Sequence, residues 1–332
     1  MSTHAVTVVE VGEVRPHPNA ERLDIVAVGP WQVVVKRGEF VRGQRAVYVE
    51  PDYVVPTTRP EFAFLAKAGK DKHRLKAVRL RGELSFGLLL PLPPEISDAP
   101  VGTNVMETLG IARYEPPAGK AGTFADEMAH DRWPSTHAPK FDLENYNHFP
   151  SIITPGEHIV CTEKVHGANA RYVYIDGEFF MGSRNRWVKQ DGNHIWTRAA
   201  ANNPNIEKWC RTYEGMVLYG EIYGAVQSLK YGLDKDVRFT GFAAVHHGVW
   251  LRQPVLFPSL ADFDVPHVPI IYSGPFDIDR IKEIAEQDSV IAETPGHMME
   301  GVVIVPSKER YHSLIGRVAL KYISNRYWLS NA

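Results

Sequence analysis

The chain has 332 residues, with 37 basic against 39 acidic side chains and a net charge of −2, so it can build two cores and is no uniformly basic polycation. No apolar run reaches the roughly 18 residues that cross a bilayer, and the opening "MSTHAVTVVEV" lacks the basic and apolar regions of a signal peptide. Two cysteines, Cys161 and Cys210, exclude a disulfide framework or a cysteine-rich zinc site, so a reduced, cytoplasmic protein without a membrane partner is expected.

Residues 1–95 predict β structure. "DIVAV", "QVVVK" and "RAVYVE" are short β-branched runs broken by turn signals, and "LKAVRLRG" alternates apolar with basic, as a strand with one wet face does. Five or so such strands predict a small closed barrel, with the OB-fold as the favoured form. The stretch "HPNAERLDIVAV" also resembles the opening of tRNA-binding OB modules. Between Lys67 and Arg81 stand Lys67, Lys70, Lys72, Arg74, Lys76, Arg79 and Arg81 against a single acid, Asp71. That excess suits phosphates; a solvated strand face and loop is the equally open alternative.

Residues 96–149 read as a proline-rich connector, since nine of the 24 prolines fall between positions 91 and 150. "GKAGT" within it does not have the spacing of a phosphate loop. The pattern changes over 150–332. "HIVCTE" predicts a strand ending at Lys164, and "ANARYVYI", Asp176-Gly177 and "EFFMGS" predict a type I′ hairpin. Ile206, Trp209, Cys210 and Tyr213 line one helix face; Ile278, Ile281, Ile284 and Ala285 line another. With "MVLYGEIYG", "VRFTGFAAV" and "EGVVIV" as further strands, the class is α+β. No histidines show metal-ligand spacing, and His246-His247 is read as turn or surface.

A lysine followed three positions on by glycine occurs twice, at Lys164–Gly167 and Lys189–Gly192. The spacing alone carries little. Lys164 ends an apolar strand that can hold its stem and partly desolvate its amine, whereas Lys189 lies in a polar, loop-like stretch. After Lys164 come, in order, Ser183-Arg184, Glu221-Ile222-Tyr223-Gly224, Phe239-Thr240-Gly241-Phe242, Glu300-Gly301-Val302-Val303 and Leu320-Lys321. The series resembles the ordered motifs of the covalent nucleotidyltransferases, the ATP-dependent ligases and capping enzymes. Lys164-Val165-His166-Gly167 followed by Asn169 is similar to the RNA ligase 2 and RNA-editing ligase branch. The chain ends 11 residues after Lys321, leaving no room for a second OB domain there, and a β domain in front resembles the RNA ligase 5 family.

The resemblance implies an OB-like barrel followed by an α+β, ATP-grasp-like nucleotidyltransferase domain. It further implies an ATP-dependent RNA ligase that uses Mn²⁺ or Mg²⁺, forms lysyl-AMP on Lys164, and seals nicks whose 3′-OH end is RNA. Carried over residue by residue, Glu300 organises the metal, and Glu163 and Asn169 serve the nucleotide. Arg184 contacts a phosphate or the 5′ end, Glu221 bonds the ribose, Phe242 or Phe239 stacks on adenine, and Lys321 meets the α-phosphate. One departure stands in the last motif, where Ala319 occupies a position usually held by lysine and Arg317 is the nearest substitute. A free lysine is neutral only about once in a few thousand at pH 7, so a nucleophilic Lys164 is expected beside a metal or another basic group. A capping-type guanylyltransferase and a non-catalytic nucleic-acid-binding protein are the alternatives. A monomer acting on a nicked, RNA-containing duplex is the expectation.

Overall fold

A computed structural model describes residues 5–114 and 127–330; "GKAGT" lies outside the described residues. Within them the chain forms two compact units, 5–114 with 325–330, and 127–324. The sequence pattern places its divisions after residues 95 and 149.

The first unit contains β1 (Thr7–Glu10), β2 (Val14–Pro16), β3 (Leu23–Val28), β4 (Trp31–Lys36), β5 (Arg45–Val49), β6 (Tyr53–Pro56), β7 (Lys72–Arg74), β8 (Ala77–Leu80), β9 (Glu83–Phe86), β10 (Leu88–Pro91) and β11 (Ala112–Arg113). They pair as β1-β5-β10, β2-β3-β4, β11-β6-β7 and β8-β9. The expected β unit is present, as short open sheets of two or three strands, with about twice the five strands the sequence predicts, most of them spanning three to six residues. β5 shows why its sequence reads as an unbroken apolar run. Successive side chains leave a strand on opposite faces. Val47 and Val49 enter a cluster with Val8, Phe62 and Leu109, while Ala46 and Tyr48 enter another with Val26, Val33 and Phe40. One strand thus serves two cores.

The second unit contains β12 (Glu144–Asn145), β13 (His158–Lys164), β14 (Ala168–Ile175), β15 (Glu178–Gly182), β16 (Trp187–Val188), α1 (Ile195–Asn202), α2 (Asn205–Thr212), β17 (Val217–Gly224), β18 (Val237–His246), β19 (Val249–Trp250), α3 (Gln253–Ala261), β20 (Ile270–Pro275), α4 (Ile278–Ala285), β21 (Gly301–Pro306), β22 (Tyr311–His312), β23 (Gly316–Arg317) and β24 (Leu320–Ile323). A short helix, α5 (Asn325–Ser330), follows β24 and belongs to the first unit.

Two sheets dominate the second unit, ordered β12-β24-β21-β13-β20 and β16-β15-β14-β17-β18-β19. On the five-stranded sheet, Ile159, Cys161, Val302, Ile304 and Leu320 pack against Ile281 and Ala285 of α4. On the six-stranded sheet, Phe239 meets Tyr172 edge-on, with ring centroids 5.2 Å apart, and the Tyr172 hydroxyl donates to the Trp196 carbonyl of α1 at 2.9 Å. Phe239 therefore faces the helices. The opposite face gathers Val173, Phe180, Tyr219 and Ala243, with Phe141, Phe242 and Trp250 against them. The hairpin between β14 and β15 turns at Asp176 and Gly177, whose φ angles of 54° and 80° suit a type I′ turn.

Candidate active site

Lys164 is the last residue of β13, and only three residues, Val165 to Gly167, separate that strand from β14 in the other sheet. The link turns tightly because it holds a glycine. A Cβ on Gly167 would stand 2.0 Å from the Ile222 carbonyl oxygen, so no other residue lets β17 approach this closely. Gly301 answers the same demand on the neighbouring strand, where a Cβ would lie 2.1 Å from the Tyr322 oxygen. These two glycines bring Lys164, Glu221 and Glu300 together from three strand ends.

The Lys164 amine donates to Glu300 Oε1 at 2.6 Å, with 20% of the lysine side chain exposed. His166 Nδ1 lies 3.3 Å from Glu300 Oε2, and Ser228 Oγ lies 3.2 Å from His166 Nε2. The His166 backbone N–H donates to the Tyr231 hydroxyl at 2.6 Å. Glu300 is thus held through both oxygens. Burial acts to raise its carboxyl, but Lys164 and then His166 outweigh that and hold it well below the usual carboxylate range. Glu221 goes the other way. Burial pushes its carboxyl up to about 8, against the pull of Lys164 and with Glu300 adding to the rise. Two carboxylates near one lysine are driven apart, one kept ionised and one prone to hold its proton. The expected basic neighbour of Lys164 is instead a carboxylate. Its amine must leave Glu300 before it can act as a nucleophile.

Register shows which side chains share this face. Lys164 pairs with Gly301, and Thr162 pairs with Val303, which pairs with Lys321. Directly paired residues and alternate positions share a face, so Lys321 lies on the Lys164 side, one step along the ladder. Glu163 falls on the other side with Val302 and Tyr322. Its carboxylate accepts from the Ser289 hydroxyl at 2.5 Å and from the Val290 N–H at 2.9 Å. Glu163 ties down the 289–290 loop and does not join the Lys164 cluster.

On the six-stranded sheet, Asn169 pairs with Glu221, and Glu221 with Thr240. Arg171 pairs with Gly182, the last residue of β15, and Arg184 lies just beyond it in the turn that the Ser183 N–H closes onto the Arg186 carbonyl at 2.8 Å. Arg184 is ion-paired with Asp142, although its Nε has no partner. Phe242 packs on the Tyr219 side with Phe141, centroids 4.7 Å apart, and shares the Glu221 face; Phe239 does not.

Among the described residues no group of three or more His, Cys, Asp or Glu side chains converges as a metal cage. The donors nevertheless suit a hard cation, which accepts a single ionised carboxylate such as Glu300 and completes its shell with water and phosphate oxygens.

This geometry coincides with a family match. The RNA ligase family model matches residues 157–323, which hold Lys164, Arg184, Glu221, Glu300 and Lys321. The chain belongs to the RNA ligase family. An OB-fold domain model matches residues 5–92 of the same ligase. Among solved structures it is similar to the Naegleria gruberi RNA ligase with PPi, at 26% identity and TM-score 0.78 over 97% of each chain. It is also similar to a variant of that enzyme with ATP and Mn, at 26% identity and TM-score 0.79 over 98% of each chain. A further variant with AMP and Mn matches at 26% identity and TM-score 0.81 over 98% of each chain. A search of curated protein sequences finds no match.

The ligase's basic cluster belongs to the first unit. Lys67, Lys70, Lys72, Lys76, Arg79 and Arg81 are exposed there. Arg74 is half-buried, donates to Asp52 at 2.9 Å and lies 3.7 Å from the Tyr114 ring centre. Sequence reasoning missed Ser228, Tyr231 and Asp142. All three act through partners at least 42 positions away, and none carries a local signal.

Proposed function

We propose that this RNA ligase joins a 3′-OH RNA end to a 5′-phosphate in a nicked duplex, through ATP and a lysyl-AMP intermediate on Lys164. The observation that carries the proposal is the Lys164 amine at the mouth of a buried strand, 2.6 Å from Glu300 and close enough to Glu221 to move its titration. The presence of ATP and Mn with the similar Naegleria enzyme supports the nucleotide and the cation.

In the first transfer Lys164 loses a proton and its nitrogen attacks the α-phosphorus, as the bond to pyrophosphate breaks. A 5′-phosphate oxygen then attacks that phosphorus and frees Lys164, and the 3′-OH finally attacks the 5′-phosphorus while AMP leaves. A bound Mn²⁺ or Mg²⁺ supplies charge neutralisation on the phosphates, and Glu300 is the residue to hold it. His166 keeps one oxygen of Glu300 in place, so the carboxylate stays aimed when the lysine turns away. Lys321 faces the α-phosphate, Arg184 and Asn169 flank it, Glu221 takes the ribose, and Phe242 rather than Phe239 stacks on adenine. The exposed Lys72, Lys76, Arg79 and Arg81 grip nucleic acid through its phosphates.

The test is incubation with ATP labelled at the α-phosphate and Mn²⁺ or Mg²⁺, followed by a denaturing gel. Wild type and Lys189→Ala should carry the label, and Lys164→Ala should carry none. Stronger labelling by GTP would favour a capping-type transferase, and no label at all would leave a nucleic-acid-binding protein. For the first unit, alanine at Lys72, Lys76, Arg79 and Arg81 should weaken nicked-duplex binding about tenfold or more and flatten its salt dependence. Lysine labelling should be spared; unchanged binding would remove the first unit from substrate grip.

A further inference from the structure

Thr240 is the one member of the polar row across the six-stranded sheet without a role. It stands directly opposite Glu221 on β18, as Asn169 does on β14, so the two flank Glu221 on the same face. Thr240 is 1% exposed and its hydroxyl has no hydrogen-bond partner; Asn169 Oδ1 is likewise unpaired.

A buried hydroxyl without a partner weakens a fold, whereas valine fills the same space at no such cost. The packing therefore gives no reason for threonine here. Local back-bonding, the usual reason for a buried threonine, is also missing, since no carbonyl or amide answers the oxygen. Two orphan polar atoms on either side of one carboxyl form an array prepared for a polyhydroxylated ligand. Phe242 follows on the same strand and turns to the same face, which puts an aromatic platform beside the row.

We infer that Thr240 is a specificity-determining residue whose hydroxyl binds a ribose hydroxyl of the nucleotide and completes the sugar site around Glu221. The inference rests on the nucleotide reading of Glu221 given above. The ligand class is a ribonucleoside triphosphate, discriminated from its deoxy forms at this row.

The experiment compares wild type, Thr240→Val and Thr240→Ser as full-length proteins, with ATP, 2′-deoxy-ATP and 3′-deoxy-ATP. Direct binding and the KM and kcat of lysine labelling are both read. Thr240→Val should raise the KM for ATP roughly five- to tenfold, the value of one hydrogen bond, with kcat little changed. Thr240→Ser should restore the wild-type KM. With one of the two deoxy nucleotides the valine penalty should vanish, because the sugar hydroxyl it paired with is already gone. Thermal melting should show the valine variant at least as stable as wild type. An equal penalty against all three nucleotides, or an unchanged KM for ATP, overturns the sugar contact. Wild type that binds ATP in a sugar-dependent way but takes no label sinks the lysyl-AMP chemistry and leaves the Thr240 site standing. Wild type that binds no ATP overturns both.

Discussion

Lys164 and Lys189 open stretches of the same spacing, and the structure gives them opposite surroundings. Lys164 ends a strand whose residues 159–163 are all buried, and its amine meets a carboxylate from a distant strand end. Lys189 follows the two-residue β16 and is exposed, and its carbonyl accepts from His194 Nε2 at 2.8 Å. That ring in turn begins α1, where His194 Nδ1 accepts from the Thr197 N–H at 3.3 Å. One stretch organises a site and the other starts a helix. Spacing thus matters only when the glycine lets a second sheet approach the lysine.

The two glycines give the sharpest way to break this comparison. A Cβ at Gly167 meets backbone, the Ile222 carbonyl, at 2.0 Å, and nothing there can yield without moving β17 and Glu221 with it. A Cβ at Gly192 meets the His194 ring at 2.6 Å, the end of a side chain that can rotate. Gly167→Ala should abolish lysine labelling, by more than about 1000-fold, or prevent folding; strain of that kind exceeds the few kcal/mol available. Gly192→Ala should stay within about threefold of wild type in labelling, and its melting temperature should fall only slightly. Comparable damage from both would mean that the second stretch also supports the site.

A smaller effect separates the residues just before each lysine. Val188 is simply buried, whereas Glu163 spends its carboxylate on Ser289 and Val290. Burial raises the Glu163 carboxyl, and the loop bonds offset part of that. Glu163→Ala removes two charge-assisted bonds and should cost about 2–3 kcal/mol of stability, read by denaturant unfolding. The KM for ATP should change less than threefold. A selective tenfold rise in KM with unchanged stability would return Glu163 to the nucleotide, as the motif resemblance placed it.

What was readable in the sequence follows the range of the interaction. β13 and the Asp176-Gly177 hairpin show themselves through local alternation and turn chemistry, and α2 and α4 through apolar residues at helical spacing. α1 and α3 did not. α1 is started by a histidine, an uncommon cap, and α3 carries Pro254 in its first turn and Pro258 inside, which read as breakers. The contrast in burial between Lys164 and Lys189 is legible because burial before a lysine is a local property. The carboxylate partner of Lys164 was not, since Glu300 lies 136 positions away and only the β13–β21 register brings it close. The placing of Glu163 shows the same limit: its face is fixed by pairing, which the motif series does not encode.

The mildest prediction concerns Arg317, the substitute proposed for the lysine missing at Ala319. Its Nε donates to Glu309 Oε1 at 2.7 Å and its Nη2 to Oε2 at 3.1 Å, a bidentate pair in which only 13% of the arginine side chain is exposed. The guanidinium also lies 4.9 Å from the Trp250 ring centre and 5.6 Å from that of Phe141. Phe141 packs on Phe242, so Arg317 reaches the Glu221 face only by bracing the aromatic wall behind it. Arg317→Ala should therefore lower stability by roughly 1–2 kcal/mol, the worth of a bidentate pair with aromatic stacking, and change labelling kcat less than twofold. A hundredfold fall in kcat at wild-type stability would instead make it a phosphate-binding cation. The proposed phosphate site would then gain a cation beyond Lys164, Lys321 and Arg184, which the Glu309 pair denies it.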